Sequence, residues 1–229
     1  MLDNQIQFPE KLKAALLPEA KKEPKMMIAA GLLPMPPGVL VEALRILSVD
    51  PDAEVRQKSV ESVQKMPENI LLNIAQTQKI PDTLEFLAKL HPANEKILEK
   101  ILINQQTPDS TFVLISQSSS EKLSTLIGNN QVRILRTPRI AENLKKNPNM
   151  LKSEMEKLGS FLRMNGIVIE GESAELTLAE IEAILQTNEA DDIPIEFLDD
   201  SKDDVSETMR QSVYQYVQTC NTGKKIKLA

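Results

Sequence analysis

The chain has one cysteine, one histidine, no tryptophan and few aromatics of any kind, five Phe and two Tyr among 229 residues. With Cys220 alone no intrachain disulfide forms, and with His91 alone no Cys/His zinc site can be assembled within one chain. Seven glycines and 3% aromatic content argue against an all-β sandwich or barrel, which draws on both. Long apolar runs are missing too. The longest uncharged stretch, Met26 to Val41, has sixteen residues and is broken by Gly31, Pro34, Pro36, Pro37 and Gly38. A membrane-spanning helix needs about twenty unbroken apolar residues. The first twenty residues carry no secretory pattern, since Asp3 and Glu10 precede any apolar stretch. Cytoplasmic residence is the expectation, and the lone cysteine agrees with it.

What is present is enough apolar residue, 41%, to build a core, and a charge distribution that is uneven. Glu170 to Glu207 holds fourteen Asp or Glu against Lys202, a local charge of −13, while the rest of the chain sums to +7. Inside that stretch Leu176 to Leu185 reads as one short amphipathic helix, with Thr177 and Glu180 at capping-box spacing. Asn188 to Asp204 reads as an acidic linker held extended by self-repulsion, and Val205 to Val217 as a further helix before a basic end at Lys224, Lys225 and Lys227.

The remainder repeats. Glu68 to Asp82 aligns without gaps on Glu95 to Asp109 at an offset of 27, with seven of fifteen positions identical. A third copy starts at Glu121 and, after a four-residue insertion, reaches Thr137-Pro138; the prolines at 51, 81, 108 and 138 are spaced 30, 27 and 30. Each unit is expected to start with Pro at the first helical turn, capped by Asp50 or Thr107, with Asp52, Asp82 or Asp109 at the positive helix end. Apolar residues then recur three and four apart: Val55, Val60, Val63; Leu84, Leu87, Leu90; Phe112, Ile115; Ile140, Leu144. A second helix comes next in each unit, marked by Ile70, Leu71, Ile74; Ile97, Leu98, Ile101, Leu102; and Leu123, Leu126, Ile127. Helices of about ten residues do not persist alone in water. Stability must come from stacking neighbours, so the predicted fold is all-α, an irregular α-solenoid of short helical hairpins followed by an acidic linker and a C-terminal helix. The expected organisation is an N-terminal helix and capping segment over 1–36, a helical-repeat domain over 37–165, an acidic linker with one short helix over 166–204, and a C-terminal helix over 205–229. The run Gly166 to Gly171 is apolar and β-branched between glycines, which leaves a turn or an isolated strand open.

Asp50-Pro-Asp-Ala-Glu-Val55-Arg56-Gln-Lys-Ser-Val60 resembles the HEAT-type unit, in which the Val is core and the Arg reaches a neighbouring repeat. The later Pro-led units are similar to the leucine-rich-repeat variant. The whole chain also resembles an uncharacterised group of bacterial helical-repeat proteins of delta-proteobacterial type. That likeness lies in Gly31-Leu-Leu-Pro-Met-Pro-Pro37, Asn130-Gln-Val-Arg-Ile-Leu135, Asn147-Pro-Asn149, Tyr214-Gln215 and Lys225-Ile-Lys-Leu-Ala229. The resemblance implies that Lys225 to Ala229 opens a helix leading into further repeats, so that the chain is a fragment lacking a second repeat domain. It implies an architecture and no activity.

Candidate chemistry is sparse. His91 stands before Pro92 at a helix end, without a nucleophile elbow or glycine-rich loop around it, and reads as a helix-terminal residue facing carbonyl groups. Asp50, Asp52, Glu54 and Glu61 fall on positions 1, 3, 5 and 12 of a calcium-loop template, but Val55 occupies the obligatory glycine and Arg56 would set a cation beside the metal. Ser119 and Lys122 have Ser-x-x-Lys spacing, yet Ser120 is more simply an N-cap. No phosphate-binding glycine motif occurs. No catalytic, cofactor-binding or metal-ligating residue is assigned, and none of the three activities is expected.

Two surfaces stand out. Arg133, Arg136, Arg139, Lys145, Lys146, Lys152, Lys157 and Arg163 form a basic stretch with three acidic residues interspersed. It reads as a solvated face, as a dock for the downstream acidic segment of the same molecule, or as a surface for nucleic-acid phosphates. Met26 to Pro37 reads as a cap on the open end of the solenoid or as a Met-rich acceptor of a partner helix. The expected function is a non-enzymatic scaffold binding a partner protein on its helical surface; the alternative is nucleic-acid binding through Arg133 to Arg163.

Overall fold

Local chemistry sets the helix starts. The computed structural model describes residues 8–171, and in them there are twelve α-helices and no strand. In chain order they are α1 (Glu10–Leu16), α2 (Lys22–Ala29), α3 (Pro37–Leu47), α4 (Ala53–Gln64), α5 (Glu68–Thr77), α6 (Pro81–Leu90), α7 (Glu95–Ile103), α8 (Asp109–Ser116), α9 (Glu121–Gly128), α10 (Gln131–Arg136), α11 (Arg139–Lys146) and α12 (Lys152–Met164). Side-chain oxygens cap α4 (Asp52), α7 (Asn94), α9 (Ser120) and α10 (Asn130), each accepting from amide N–H groups of the first turn. Pro37 and Pro81 are first helical residues, where the missing N–H costs nothing.

The predicted caps at Asp50 and Thr107 are not caps. Asp52 takes the N-cap position of α4, so Asp50 lies two residues outside the helix, and its Oδ1 accepts from the Asp52 N–H at 2.9 Å. Pro108 itself precedes α8, and the buried Thr107 hydroxyl donates back to the Ile101 carbonyl at 2.5 Å. In both cases the polar side chain satisfies a backbone group at the corner, a competing use open to any Asp or Thr placed there.

The helices stack in two rows. Helices α2, α4, α6, α8 and α11 lie successively against one another, as do α3, α5, α7, α9 and α12. The short α10 sits against α11 outside this alternation, at the four-residue insertion of the third copy. This is the nearest-neighbour packing of an α-solenoid. The apolar positions read from the repeats are its seam: Leu71, Leu84, Leu87, Ile97, Ile101, Phe112, Leu123, Ile127, Ile140 and Leu144 are all buried in one continuous cluster from Val41 to Ile169. A second cluster at the N-terminal end joins Phe8, Leu12 and Leu16 of the α1 region to Ile28, Leu47 and Val55.

Two glycines close helices in identical geometry. At Gly166 (φ 75°) and Gly31 (φ 68°) the glycine N–H and the next residue's N–H turn back onto α12 and α2. Gly166 N–H donates to Arg163 O and Ile167 N–H to Leu162 O; Gly31 N–H donates to Ile28 O and Leu32 N–H to Met27 O. The left-handed backbone this requires is one only glycine adopts cheaply. After Gly166 the chain runs without a strand and buries Ile169 in the end of the core. The predicted acidic linker and C-terminal helix lie outside the described residues.

Candidate interaction surfaces

Asparagines tie successive repeats together at the helix ends. Asn104, at the end of α7, donates through Nδ2 to the carbonyls of Ala75 (2.9 Å) and Gln78 (2.9 Å) at the end of α5. Asn147, at the end of α11, donates to Ser119 O (2.9 Å) and Ser119 Oγ (3.1 Å) beyond the end of α8 and to Ser124 Oγ (3.2 Å) in α9. Carbonyls at a helix end have no partner within the helix, so a side chain from one repeat downstream satisfies them. In the sequence Asn147 stands out only as part of a resemblance. Its role has no local signal, because the groups it serves lie about one repeat back.

The basic stretch divides on folding. Arg133 and Arg136 converge on Asp109, the first residue of α8: Arg133 Nη1 lies 2.5 Å from Oδ1, Arg136 Nε 2.6 Å from Oδ2 and Nη2 2.7 Å from Oδ1. Thr137 Oγ1 donates to the same carboxylate at 3.2 Å, and the Arg133 guanidinium stands 4.2 Å over the Phe112 ring. The cluster anchors the inserted α10 to the preceding repeat. Lys157 pairs with Glu154 within α12, and Arg163 Nη2 donates to Ser160 Oγ. Lys145 Nζ donates to the Glu170 carbonyl and Lys146 Nζ to its carboxylate. Arg139 and Lys152 are exposed.

Arg136 foremost, and Arg133 with it, holds the Asp109 carboxyl below its ordinary 3.8, against an opposing effect of burial. A carboxyl with a lowered folded value stabilises the fold fully above its unfolded value, and that contribution is lost as pH falls through the folded value. Asp109→Asn is therefore expected to flatten the fall in stability as pH drops through and below the ordinary carboxyl value of 3.8, with little change in slope at neutral pH. Urea titrations followed by circular dichroism at a series of pH values measure it; an unchanged acid slope in the variant would show that the three groups do not pair in solution.

The other sequence candidates separate. Lys122 Nζ reaches Glu99 at 2.7 Å, while Ser119 Oγ lies 2.7 Å from Ser124 Oγ and also accepts from Asn147, so Ser119 and Lys122 serve different contacts. Ser120 is the N-cap of α9. The His91 main chain ends α6, but its ring Nε2 is buried with no hydrogen-bond partner among the described residues, and burial pushes its pKa down. The ring is thus biased to the neutral form, and among the described residues its Nε2 meets none of the predicted carbonyl groups. Asp50 of the calcium template faces the Lys25 ammonium at 2.6 Å.

The N-terminal end carries an extended apolar opening. Pro9, Pro24, Pro34 and Pro36 with Leu12, Ala15, Met27, Leu33, Met35 and Val39 line a groove of about 640 Å³. Met26, Leu33 and Met35 also pack on the N-terminal cluster, so the segment covers the first hairpin and lines the groove at once. Within the lining Met27 is 46% exposed, and the adjoining Leu32 is 69% exposed.

Among the described residues no helix is long and apolar enough to cross a membrane. No protein-family model matches the chain, and no curated protein or solved structure matches it. The helical-repeat architecture therefore rests on the packing itself.

Proposed function

We propose that the protein is a cytoplasmic, non-enzymatic helical-repeat scaffold that takes an apolar segment of a partner protein in the groove at the N-terminal end of its stack. The observation that carries this reading is the lining of that groove, ten apolar residues that include the half-exposed Met27. Open apolar surface costs solvation unless it is covered in use, and flexible Met side chains adapt to a helix laid against them. The HEAT-like character of the Asp50 to Val60 unit agrees with a stacked helical-repeat architecture, and a fold does not by itself assign a partner.

Met27→Lys tests this. The cation falls in the last turn of α2, where the helix dipole tolerates it, so stability should change by less than about 0.5 kcal/mol. Partners recovered by affinity purification, with and without nuclease, should be depleted more than about tenfold relative to wild type. Ile103→Lys, at an exposed apolar residue outside the groove, should leave them in place. Equal recovery with Met27→Lys would defeat the proposal. Nucleic-acid binding through the basic stretch draws less support, since Arg133 and Arg136 are held by Asp109 and would have to leave it to reach phosphates.

A further inference from the structure

We infer that the basic face of α11 and α12 is the docking surface for this chain's own acidic segment, residues 172–207. The path is already set where the described chain ends. Ile169 is buried in the core, and the next residue turns onto the last turn of α11, where Lys145 Nζ donates to the Glu170 carbonyl at 2.9 Å and Lys146 Nζ stands 3.3 Å from its Oε2. Gly171 comes next at φ 78°, and a Cβ there would lie 3.6 Å from Lys145 Nζ, so the backbone itself passes over that ammonium.

The downstream segment carries the complementary charge. Residues 172–207 contain thirteen Asp or Glu and one Lys, against Arg139, Lys145, Lys146, Lys152, Lys157 and Arg163 of α11 and α12, where Glu142, Glu154 and Glu156 offset only half of the positive charge. Lys152 is the first residue of α12, where a cation opposes the helix dipole and a neighbouring anion relieves it. The face also has apolar spots, since Leu151 beside Lys152 and Val168 near Glu170 are 42% and 47% exposed. A phosphate backbone has no use for them. The amphipathic stretch Leu176 to Leu185 presents carboxylates and apolar residues together. Five residues carry the chain from Gly171 to Leu176, a reach of at most about 18 Å, so the start of that stretch is tethered within this distance of Gly171. Tethered so closely, the segment meets the face at an effective concentration on the order of millimolar, and any acidic partner must displace it first. This inference is independent of the apolar groove.

Zero-length carbodiimide coupling of the full chain tests it, using a mixture of isotopically light and heavy protein read by mass spectrometry. Links from Lys145, Lys146 and Lys152 to carboxylates of 172–207 are expected within a single isotope, reduced several-fold in about 1 M NaCl. In Lys145→Gln/Lys146→Gln the links from Lys152 should fall at least threefold with the thermal midpoint unchanged. In the wild type the links should survive an equimolar single-stranded dT oligonucleotide. Light–heavy links would assign the segment to a second copy and overturn docking within one molecule. Links erased by the oligonucleotide would assign the face to nucleic acid. Links spread equally to Lys58, Lys65 and Lys96 would show no dock at all.

Discussion

Asp50→Ala is expected to cost about 3–5 kcal/mol of stability, the loss found when one partner of a buried ion pair is removed. Lys25 and Asp50 are 3% and 4% exposed in their side chains, and Lys25 Nζ has two acceptors, Asp50 Oδ2 at 2.6 Å and the Pro18 carbonyl at 2.8 Å. Taking away the carboxylate leaves an ammonium sealed from water with one neutral acceptor. The pair joins α2 to the turn ahead of α4, so its loss should be felt first at the N-terminal end of the stack, as nearest-neighbour stability requires. Hydrogen exchange should therefore rise in α1 to α4 before α6 to α9. Lys25→Met with Asp50→Asn removes both charges and keeps an acceptor for the Asp52 N–H, and most of the loss should return. With no tryptophan in the chain, urea unfolding followed by far-ultraviolet circular dichroism measures it. A cost below about 1 kcal/mol for Asp50→Ala would mean that water reaches the pair.

The second large effect is expected at Asn147. Its amide is the shared donor for the Ser119 carbonyl and the Ser119 and Ser124 hydroxyls, and its Oδ1 accepts from the Asn149 N–H at 3.0 Å. Asn147→Ala removes this donor from a site only 3% exposed, where the two hydroxyls keep each other and the Ser119 carbonyl keeps Asn149 Nδ2 at 3.2 Å, so the cost is about 1–3 kcal/mol. Asn147→Asp keeps the size but sets a carboxylate against a carbonyl, and should be at least as damaging. The comparison separates the lost donor from the lost volume. If Asn147→Asp proves nearly neutral, this asparagine tie is incidental to the stacking.

Much of the architecture was legible in the residues because its causes are local. Spacing of Leu84 and Leu87, or of Ile97 and Ile101, marks one face of a helix whatever surrounds it, and the 27-residue match marks the unit that must stack. The N-cap at Ser120 is likewise a matter of a few adjacent atoms. The two surfaces were legible as compositions only. Nothing in Arg133 or Arg136 distinguishes a cation bound to a carboxylate of the previous repeat from one left in water, and Met26 to Pro37 reads first as a cap and only second as an acceptor of a partner helix until the first hairpin is folded beneath it.

By itself, then, the sequence determined that short amphipathic helices succeed one another in stacked pairs, since periodicity and capping act over a few residues. The tertiary structure alone decided which charges are spent, in Lys25 with Asp50 and in Arg133 and Arg136 with Asp109. Those partners are 24 to 27 residues apart, a separation at which only packing brings them within reach.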